Sequence, residues 1–267
     1  MSRPPTALLY DIHGNLPALE AVLAEAKSAG ATSYVLGGDY ASMGPWPRET
    51  AELAEGLPAV VRIRGNVERW LREEPEAPES AHRLLTAALT AARESLGADL
   101  IERRYELPVR AELDGMLVCH GSPLSDIESF APQAEADEER MLDGESERTI
   151  LFGHSHQQFR RPGPNGTQLV NPGSVGAPLD GDPRAAWALL VSGDPLPPNC
   201  VRRRAGCLPD ALLRRLGRAA RAQNRARIRP LRRAQRVVPR RASSPGLTTN
   251  RSRDVLWHAA PAMNSWN

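Results

Sequence analysis

From residue 7 to residue 66 the chain alternates between short apolar runs and helical patterns, and this alternation restricts the fold more than any other feature. Strand-length apolar runs occupy residues 7–10, 33–36 and 59–64. Helical patterns occupy residues 16–29 and 47–57. Asn15 is a candidate N-cap for the first helix, and Gly30 a candidate stop. Strand, helix, strand, helix, strand with short links predicts a parallel sheet that is covered by helices.

The following residues extend this pattern with antiparallel strands. The predicted elements are a helix over residues 80–96, a hairpin over 109–113 and 116–119, a helix over 135–142, a strand over 149–152, a hairpin over 159–170 and a strand over 185–192. Asp114 and Gly115 are typical of a type I′ turn at the tip of the first hairpin. The sequence therefore predicts a layered α/β domain with mixed sheets.

Polar residues that can bind metal ions follow the ends of five predicted strands. They are Asp11 and His13, Asp39, Asn66, His120, and the pair His154 and His156. Loops at strand ends converge in layered α/β folds, so residues that are distant in sequence can meet there. Imidazoles, carboxylates and an amide oxygen are suitable ligands for divalent cations, and Asp39 could bridge two of them with its two oxygens. Two such cations can clamp a phosphoryl group and activate water.

Each of these motifs has an ordinary structural explanation when it is taken alone. Asp-x-His arises often by chance, and Gly-Asp and Gly-Asn are usually turns. Cys119 is expected to pack as a small hydrophobic residue, and His82 and His258 are expected on the surface. The joint occurrence of the motifs, each at a strand end, favours a metal site over these explanations.

These residues resemble the calcineurin-like metallophosphoesterases, specifically their small bacterial and archaeal single-domain members, over residues 7–191. The family's motifs occur here in the family's order: Asp-x-His, Gly-Asp, Gly-Asn-x-(Asp or Glu), a lone His-Gly and Gly-His-x-His. Residues 171–174, Asn-Pro-Gly-Ser, are a frequent companion in this subgroup. The resemblance implies a four-layer αββα sandwich. It also implies hydrolysis of phosphomonoesters or phosphodiesters by metal-activated hydroxide, without a covalent intermediate.

The resemblance further implies a ligand set for two divalent metal ions. Asp11, His13 and His156 would hold one metal, Asn66, His120 and His154 the other, and Asp39 would bridge them. Asn66, His154 and Asp39 would also have catalytic roles, because they would contact or orient the phosphoryl group. Manganese is the most common metal in the family, and iron, zinc, nickel or cobalt are also used.

The chain departs from the family pattern at Val67. The family usually has a histidine at this position, which is thought to protonate or orient the leaving group. Valine cannot donate a proton, so a gain of roughly 10²–10⁴-fold from general-acid catalysis must come from elsewhere or be absent. We therefore expect a good leaving group to matter more here than in the family as a whole.

A change of composition near residues 194–198 predicts a domain boundary. Residues 201–267 contain 17 arginines and two acids, a net charge of +15, whereas residues 1–200 contain 17 basic and 30 acidic residues, a net charge of −13. We predict a metallophosphoesterase domain over 1–198, a helix within 199–217 that packs on it, and a disordered Arg-rich tail over 218–267. The tail could also be a nucleic-acid-binding arm, or a segment that departs from the ancestral reading frame.

The remaining expectations concern location and function. Three cysteines without metal-finger spacing, no apolar run of membrane length and no signal peptide predict a cytoplasmic protein without a membrane partner. The expected substrate is a small phosphoester, and the oligomeric state is left open. Two rival hypotheses remain: a regulatory metal-binding protein of low turnover, which Val67 favours, and a nuclease or nucleic-acid-binding protein that uses the basic tail.

Overall fold

Two five-stranded mixed sheets form the centre of the domain. A computed structural model describes residues 5–76 and 79–191 together with the backbone of residues 201–204, and all of these lie in the first of two units, Met1–Arg214 and Arg215–Asn267. The first sheet has the order β10 (Val201–Arg204), β9 (Ala186–Leu190), β1 (Thr6–Leu9), β2 (Ser33–Leu36), β3 (Ala59–Arg62). The second has the order β4 (Arg110–Leu113), β5 (Met116–Cys119), β6 (Thr149–Leu151), β8 (Gln168–Pro172), β7 (Gln158–Pro162).

Helices cover the outer faces of the two sheets. They are α1 (Leu16–Ser28), α2 (Pro47–Glu55), α3 (Asn66–Trp70), α4 (Glu79–Leu96), α5 (Ala98–Tyr105) and α6 (Glu138–Met141). Side chains of β1 alternate between two cores: Leu9 packs with α1, α2 and α4, whereas Leu8 packs with Val118 and Leu151 of the second sheet. A third core lies on the outer face of the second sheet and includes Phe130. Three cores separate four layers, which is the predicted αββα sandwich.

Most of the predicted elements are confirmed. β1, β2 and β3 pair in parallel, and the two predicted hairpins form as β4–β5 and β7–β8. Asp114 and Gly115 both have positive φ, as a type I′ turn requires. The Asn15 side chain accepts the N–H of Ala18 and caps α1. The helices α3 and α5 are not among the predicted elements.

The strand β10 lies beyond the boundary that the composition predicts at residue 198. Residues 201–204 pair antiparallel with β9, so the first sheet continues past that boundary. Apart from β10, residues 199–217 with their predicted helix and residues 218–267 with the predicted disordered tail lie outside the described residues, so both stay predictions. Within the described part of the chain, no helix has the length and apolar character needed to cross a membrane.

Candidate metal centre

The loops that follow five strands bring all seven predicted ligands to one end of the sandwich. Asp11 and His13 follow β1, Asp39 follows β2, and Asn66 begins α3 after β3. In the second sheet, His120 follows β5, and His154 and His156 follow β6. The Tyr10 hydroxyl donates to the carbonyl oxygen of Leu151 at 3.1 Å, which fixes the spacing between the two sheets beside these loops.

The backbone at the site is held in an unusual conformation. Ten non-glycine residues among those described have left-handed φ, and five of them are predicted ligands: Asp11, His13, Asp39, His154 and His156. This conformation is uncommon for residues with a Cβ and concentrates at functional sites, where the surrounding structure maintains it. The turns after β1, β2 and β6 therefore direct side chains toward a common point at a cost in backbone strain.

The first set of ligands comprises Asp11, His13 and His156. Their ligand atoms lie within 4.8 Å of one another, and all three residues are buried. The Nε2 atoms of the two histidines are 3.0 Å apart, and Asp11 Oδ1 is 3.6 Å from His156 Nε2. The Nδ1 of His156 donates to the carbonyl oxygen of Ala177 at 2.6 Å, so in the neutral ring Nε2 carries the lone pair that a metal needs.

The second set comprises Asp39, His120 and His154, with Asn66 beside them. The ligand atoms of the three ionisable residues again lie within 4.8 Å of one another. One side-chain amide atom of Asn66 lies 3.0 Å from His120 Nε2 and 2.8 Å from His154 Nδ1. Hydrogen bonding alone favours the amide nitrogen at that position, whereas the amide oxygen there would share a cation with both imidazoles.

Asp39 lies between the two sets. Its Oδ2 is 3.6 Å from His13 Nε2 and 3.4 Å from His120 Nε2, while its Oδ1 accepts the N–H of Val67 at 2.9 Å. Asp11 is also shared, because its Oδ1 is 3.8 Å from His120 Nε2. The His120 ring is fixed by a 2.8 Å hydrogen bond from Nδ1 to the carbonyl oxygen of Gly37. The arrangement suits a bridging carboxylate between two cations.

Burial and neighbouring charges shift the pKa values of three histidines in the site, in opposite directions. Burial and the neighbouring His156 lower the pKa of His13 to about 3, and burial and His120 lower the pKa of His154 to about 4. Burial opposes a charge on His120 as well, yet Asp39 and Asp11 raise its pKa to about 10. Two imidazoles are thus kept in the neutral form that metals require, and the carboxylates attract positive charge to the centre.

Glu68 ends the Gly-Asn-x-(Asp or Glu) motif, but the sequence predictions assign it no role of its own. Its buried carboxylate accepts the N–H groups of Asp39 at 2.8 Å, Tyr40 at 2.9 Å and Gly65 at 2.9 Å. It therefore joins the loop that carries Asp39 to the loop that carries Asn66. A glutamate three residues after a helix N-cap often reaches back to the cap N–H, and this spacing in residues 65–68 was the available signal.

A glycine is required where these two loops touch. A Cβ on Gly65 would lie 2.2 Å from Asp39 Oδ1 and 2.8 Å from His120 Cε1. No real Cβ has such contacts, so any other residue would displace two predicted ligands. This explains in physical terms why glycine precedes Asn66.

The Asn-Pro-Gly-Ser segment, residues 171–174, forms hydrogen bonds with the turns that carry the predicted ligands. The Ser174 hydroxyl donates to the carbonyl oxygen of Asp11 at 2.7 Å. The Asn171 amide donates to the carbonyl oxygen of Gly153 at 2.9 Å and to Ser155 Oγ at 3.0 Å. These bonds fix the turns before His13 and around His154, which positions ligands from both sheets.

Comparison with known proteins identifies the fold family. Residues 6–193 match the family model of the calcineurin-like phosphoesterase superfamily domain. The chain belongs to the calcineurin-like phosphoesterase superfamily. The resemblance seen in the motifs is thereby confirmed, and membership of the superfamily supports a phosphoester hydrolase.

Solved phosphoesterase structures resemble this one. A metallophosphoesterase from Sphaerobacter thermophilus is 25% identical with a TM-score of 0.59, and the match covers 77% of this chain and 89% of that chain. YfcE, a phosphoesterase from E. coli, is 20% identical with a TM-score of 0.42, and the match covers 70% of this chain and 87% of that one. No curated protein matches the chain.

The donor set of the site fits a pair of divalent cations. Two carboxylates, four imidazoles and one amide oxygen form two adjoining sets, and the sets contain the hard and borderline ligands that manganese, iron and zinc accept. His154 is the one member of the seven that is only half-buried, so it is the ligand most open to solvent.

Other residues of interest lie away from this centre. The Val67 side chain is buried in the core with α1 and α4, and its N–H donates to Asp39 Oδ1. His82 is exposed, and Cys119 is buried in the third core, both as predicted. His258 lies outside the described residues.

Proposed function

We propose that this protein is a dinuclear-metal-dependent phosphoesterase that hydrolyses phosphomonoesters or phosphodiesters. The observation that carries the proposal is the convergence of seven ligand side chains in two adjoining sets, with Asp39 between them. Asp11, His13 and His156 would hold one ion, and Asn66, His120 and His154 the other. Manganese is the first metal to test, followed by iron, zinc, nickel and cobalt.

When bound, the two cations would supply Lewis-acid stabilisation of the phosphoryl oxygens and a nucleophile from water near neutral pH. The chain's own residues hold and orient the reacting groups. The carbonyl of Gly37 fixes the ring of His120, and the carbonyl of Ala177 fixes the ring of His156. Half-buried His154 and its neighbour Asn66 would contact the phosphoryl oxygens, where fixed polar groups stabilise developing charge.

The burial of Val67 restricts which esters react well. A valine side chain in the core offers no proton to the departing oxygen, so the leaving group departs largely as an anion. Aryl phosphates and phosphodiesters with acidic leaving groups should therefore react faster than alkyl monoesters. The same feature supports the alternative of a low-turnover regulatory protein, which would bind metal but hydrolyse neither class of ester.

The test is a metal-reconstitution assay on the full chain. The protein is stripped with a chelator, loaded separately with each metal, and assayed with bis-p-nitrophenyl phosphate and p-nitrophenyl phosphate. Hydrolysis that appears only after loading supports the proposal. Stoichiometric metal binding without turnover of either ester would favour the regulatory alternative.

A second candidate function, a nuclease, is favoured by the direction of β10. This strand ends with Arg204 opposite Ala186 of β9, whose N–H donates to the carbonyl oxygen of Ser174 beside Asp11. The chain thus leaves the first sheet at the end that carries the metal ligands, and the sequence beyond it has 14 further arginines. If this segment presents nucleic acid, removing residues 218–267 should flatten the salt dependence of DNA or RNA cleavage.

We further propose a cytoplasmic location, on the strength of cysteine usage. Cys119 is a free, buried thiol in the described part of the chain, which suits a reducing compartment. Cell fractionation followed by detection of the protein in each fraction would test this proposal, and recovery outside the cytosolic fraction would contradict it.

A further inference from the structure

A cleft of about 470 Å³ opens beside the second ligand set. Its wall includes His120, the loop that follows it, and the arginines Arg64, Arg69 and Arg110. Pockets of roughly 300–1,000 Å³ accommodate a ring-bearing small molecule, far more than a phosphoryl group needs. The cleft therefore has room for the organic group of an ester whose phosphorus lies at the ligands.

The positive charges in the cleft are largely neutralised by carboxylates. Arg69 makes two hydrogen bonds to Asp126, from Nε at 2.7 Å and from Nη2 at 2.9 Å, and it also contacts Glu76. Arg110 lies 3.4 Å from Asp143. With three arginines against three acids in its lining, the cleft offers little attraction to a polyanionic extension of the substrate.

Arg64 is the cation of the lining without a carboxylate partner among the described residues. Its guanidinium donates to the carbonyl oxygen of Tyr105 at 2.8 Å and lies 4.5 Å from the centre of the Tyr105 ring. The cleft is thus close to neutral, and the one arginine without a carboxylate partner among the described residues stacks on an aromatic face.

Apolar side chains stand exposed in the same cleft. Val109 is 51% exposed and Leu124 is 43% exposed, and Pro123 and Ile127 complete an apolar wall. Two of the seven exposed large hydrophobic residues in the described part of the chain thus line one cleft next to the ligands. An apolar surface of this kind gains free energy when an apolar ligand covers it.

The loop that carries Leu124 is fixed in place. Ser122 and Ser125 close a turn through the Ser122 N–H, which donates to the carbonyl oxygen of Ser125 at 2.8 Å. The Ser125 hydroxyl accepts the N–H groups of Ile127 and Glu128, each at 3.2 Å. The Arg69–Asp126 pair ties the loop to α3. Because the wall is already ordered, little entropy is lost when a ligand binds against it.

We propose that this cleft selects the organic group of the substrate, and that it selects an uncharged, apolar ring system through Leu124 and Val109. The proposal deepens the proposed function and rests on it for the placement of phosphorus at the ligand sets. The two residues determine specificity and are not catalytic, because they contact only the part of the ester beyond phosphorus.

The test measures binding of two phosphonates to the metal-loaded full chain by calorimetry. Methylphosphonate presents the anion alone, and 1-naphthylmethylphosphonate adds an uncharged ring system. We expect the ring to increase affinity by about tenfold or more. Leu124→Ser should reduce this ring preference about five-fold, and the double variant with Val109→Ser should abolish it, with methylphosphonate binding unchanged in both.

Leu84→Ser is the matched control, because Leu84 is 73% exposed on α4 and lies outside the cleft. It should leave both affinities unchanged. Equal affinities of wild type for the two phosphonates, or a ring preference that survives the double substitution, would overturn the cleft proposal. A ring preference in a metal-loaded protein that hydrolyses no ester would support the cleft and contradict the proposed function, so the two failures are distinguishable.

Discussion

Replacing Glu68 by glutamine tests the hydrogen bonds that link the loop carrying Asp39 to the loop carrying Asn66. The Glu68 Oε2 accepts the N–H groups of Asp39 and Gly65, and Oε1 accepts the N–H of Tyr40. A glutamine oxygen can replace Oε2, but its NH₂ group then opposes the N–H of Tyr40. One buried N–H without an acceptor costs about 1–3 kcal/mol. Two charge-assisted bonds that become neutral cost about 1 kcal/mol more.

An opposing effect reduces this cost. Burial and the neighbouring Asp39 raise the pKa of Glu68, so a charge at this position is unfavourable and a neutral amide recovers part of its desolvation cost. We therefore expect Glu68→Gln to lower the free energy of unfolding by about 2–3 kcal/mol. Because repulsion between the glutamine NH₂ and the N–H of Tyr40 would shift the loop that carries Asp39, metal affinity should also fall by about 10–100-fold.

The assay is urea denaturation of the metal-free protein together with a metal titration followed by calorimetry. Glu20→Gln is the matched control, since Glu20 is exposed on α1, and it should change stability by less than about 0.5 kcal/mol. If Glu68→Gln keeps wild-type stability within that same margin and binds metal equally well, the reasoning about these hydrogen bonds is refuted.

Three further predictions follow from individual side chains. Asp39→Asn should reduce metal-dependent hydrolysis by more than about 10²-fold, because a neutral amide cannot bridge two cations, while exposed His82→Ala should match wild type in the same assay. Val67→His should lower the free energy of unfolding by about 1–3 kcal/mol, because a polar ring replaces a packed buried side chain; thermal denaturation would reveal it, and an unchanged melting temperature would contradict it. Hydrogen bonds from Arg69 and from the indole of Trp70 lower the pKa of Glu76 to about 2. The contribution of the Glu76 carboxylate to the free energy of unfolding is present above the unfolded pKa of about 4.3 and is lost as pH falls through about 2. Glu76→Gln should therefore cost at most about 1 kcal/mol at neutral pH after solvent screening. A denaturation series in which this cost fails to shrink with falling pH would contradict the assignment.

The fold was largely predictable because its local signals agree with its tertiary arrangement. The runs that became β1 and β2 are mostly apolar and are buried along their whole length, as strands that are covered on both faces require. The turn residues Asp114 and Gly115 fixed one hairpin by conformational preference alone. The helix α3 escaped prediction because it has only five residues, and its first turn is held by Asp39 and Glu68 through tertiary and capping contacts.

The candidate ligands could be predicted because each stands at a strand end, but the hydrogen-bond partners of the residues that support them could not. Glu68, Asn171 and Ser174 act through hydrogen bonds to backbone groups of sequence-distant loops. Such partners depend on how the two sheets pack, which no local pattern encodes. The strand β10 was not predicted for the same reason. The prolines within residues 195–198 predicted a boundary there, but residues 201–204 pair with β9 and extend the first sheet beyond them.

The measurement that tests the central claim most directly is the number of metal ions bound per chain, by elemental analysis of the reconstituted protein. The account predicts two ions in wild type, and a reduced number when either set is disrupted by Asp11→Ala or by His120→Ala. The Glu20→Gln control should retain two. A wild-type chain that binds one ion or none at saturating metal would contradict the dinuclear site, whatever its activity.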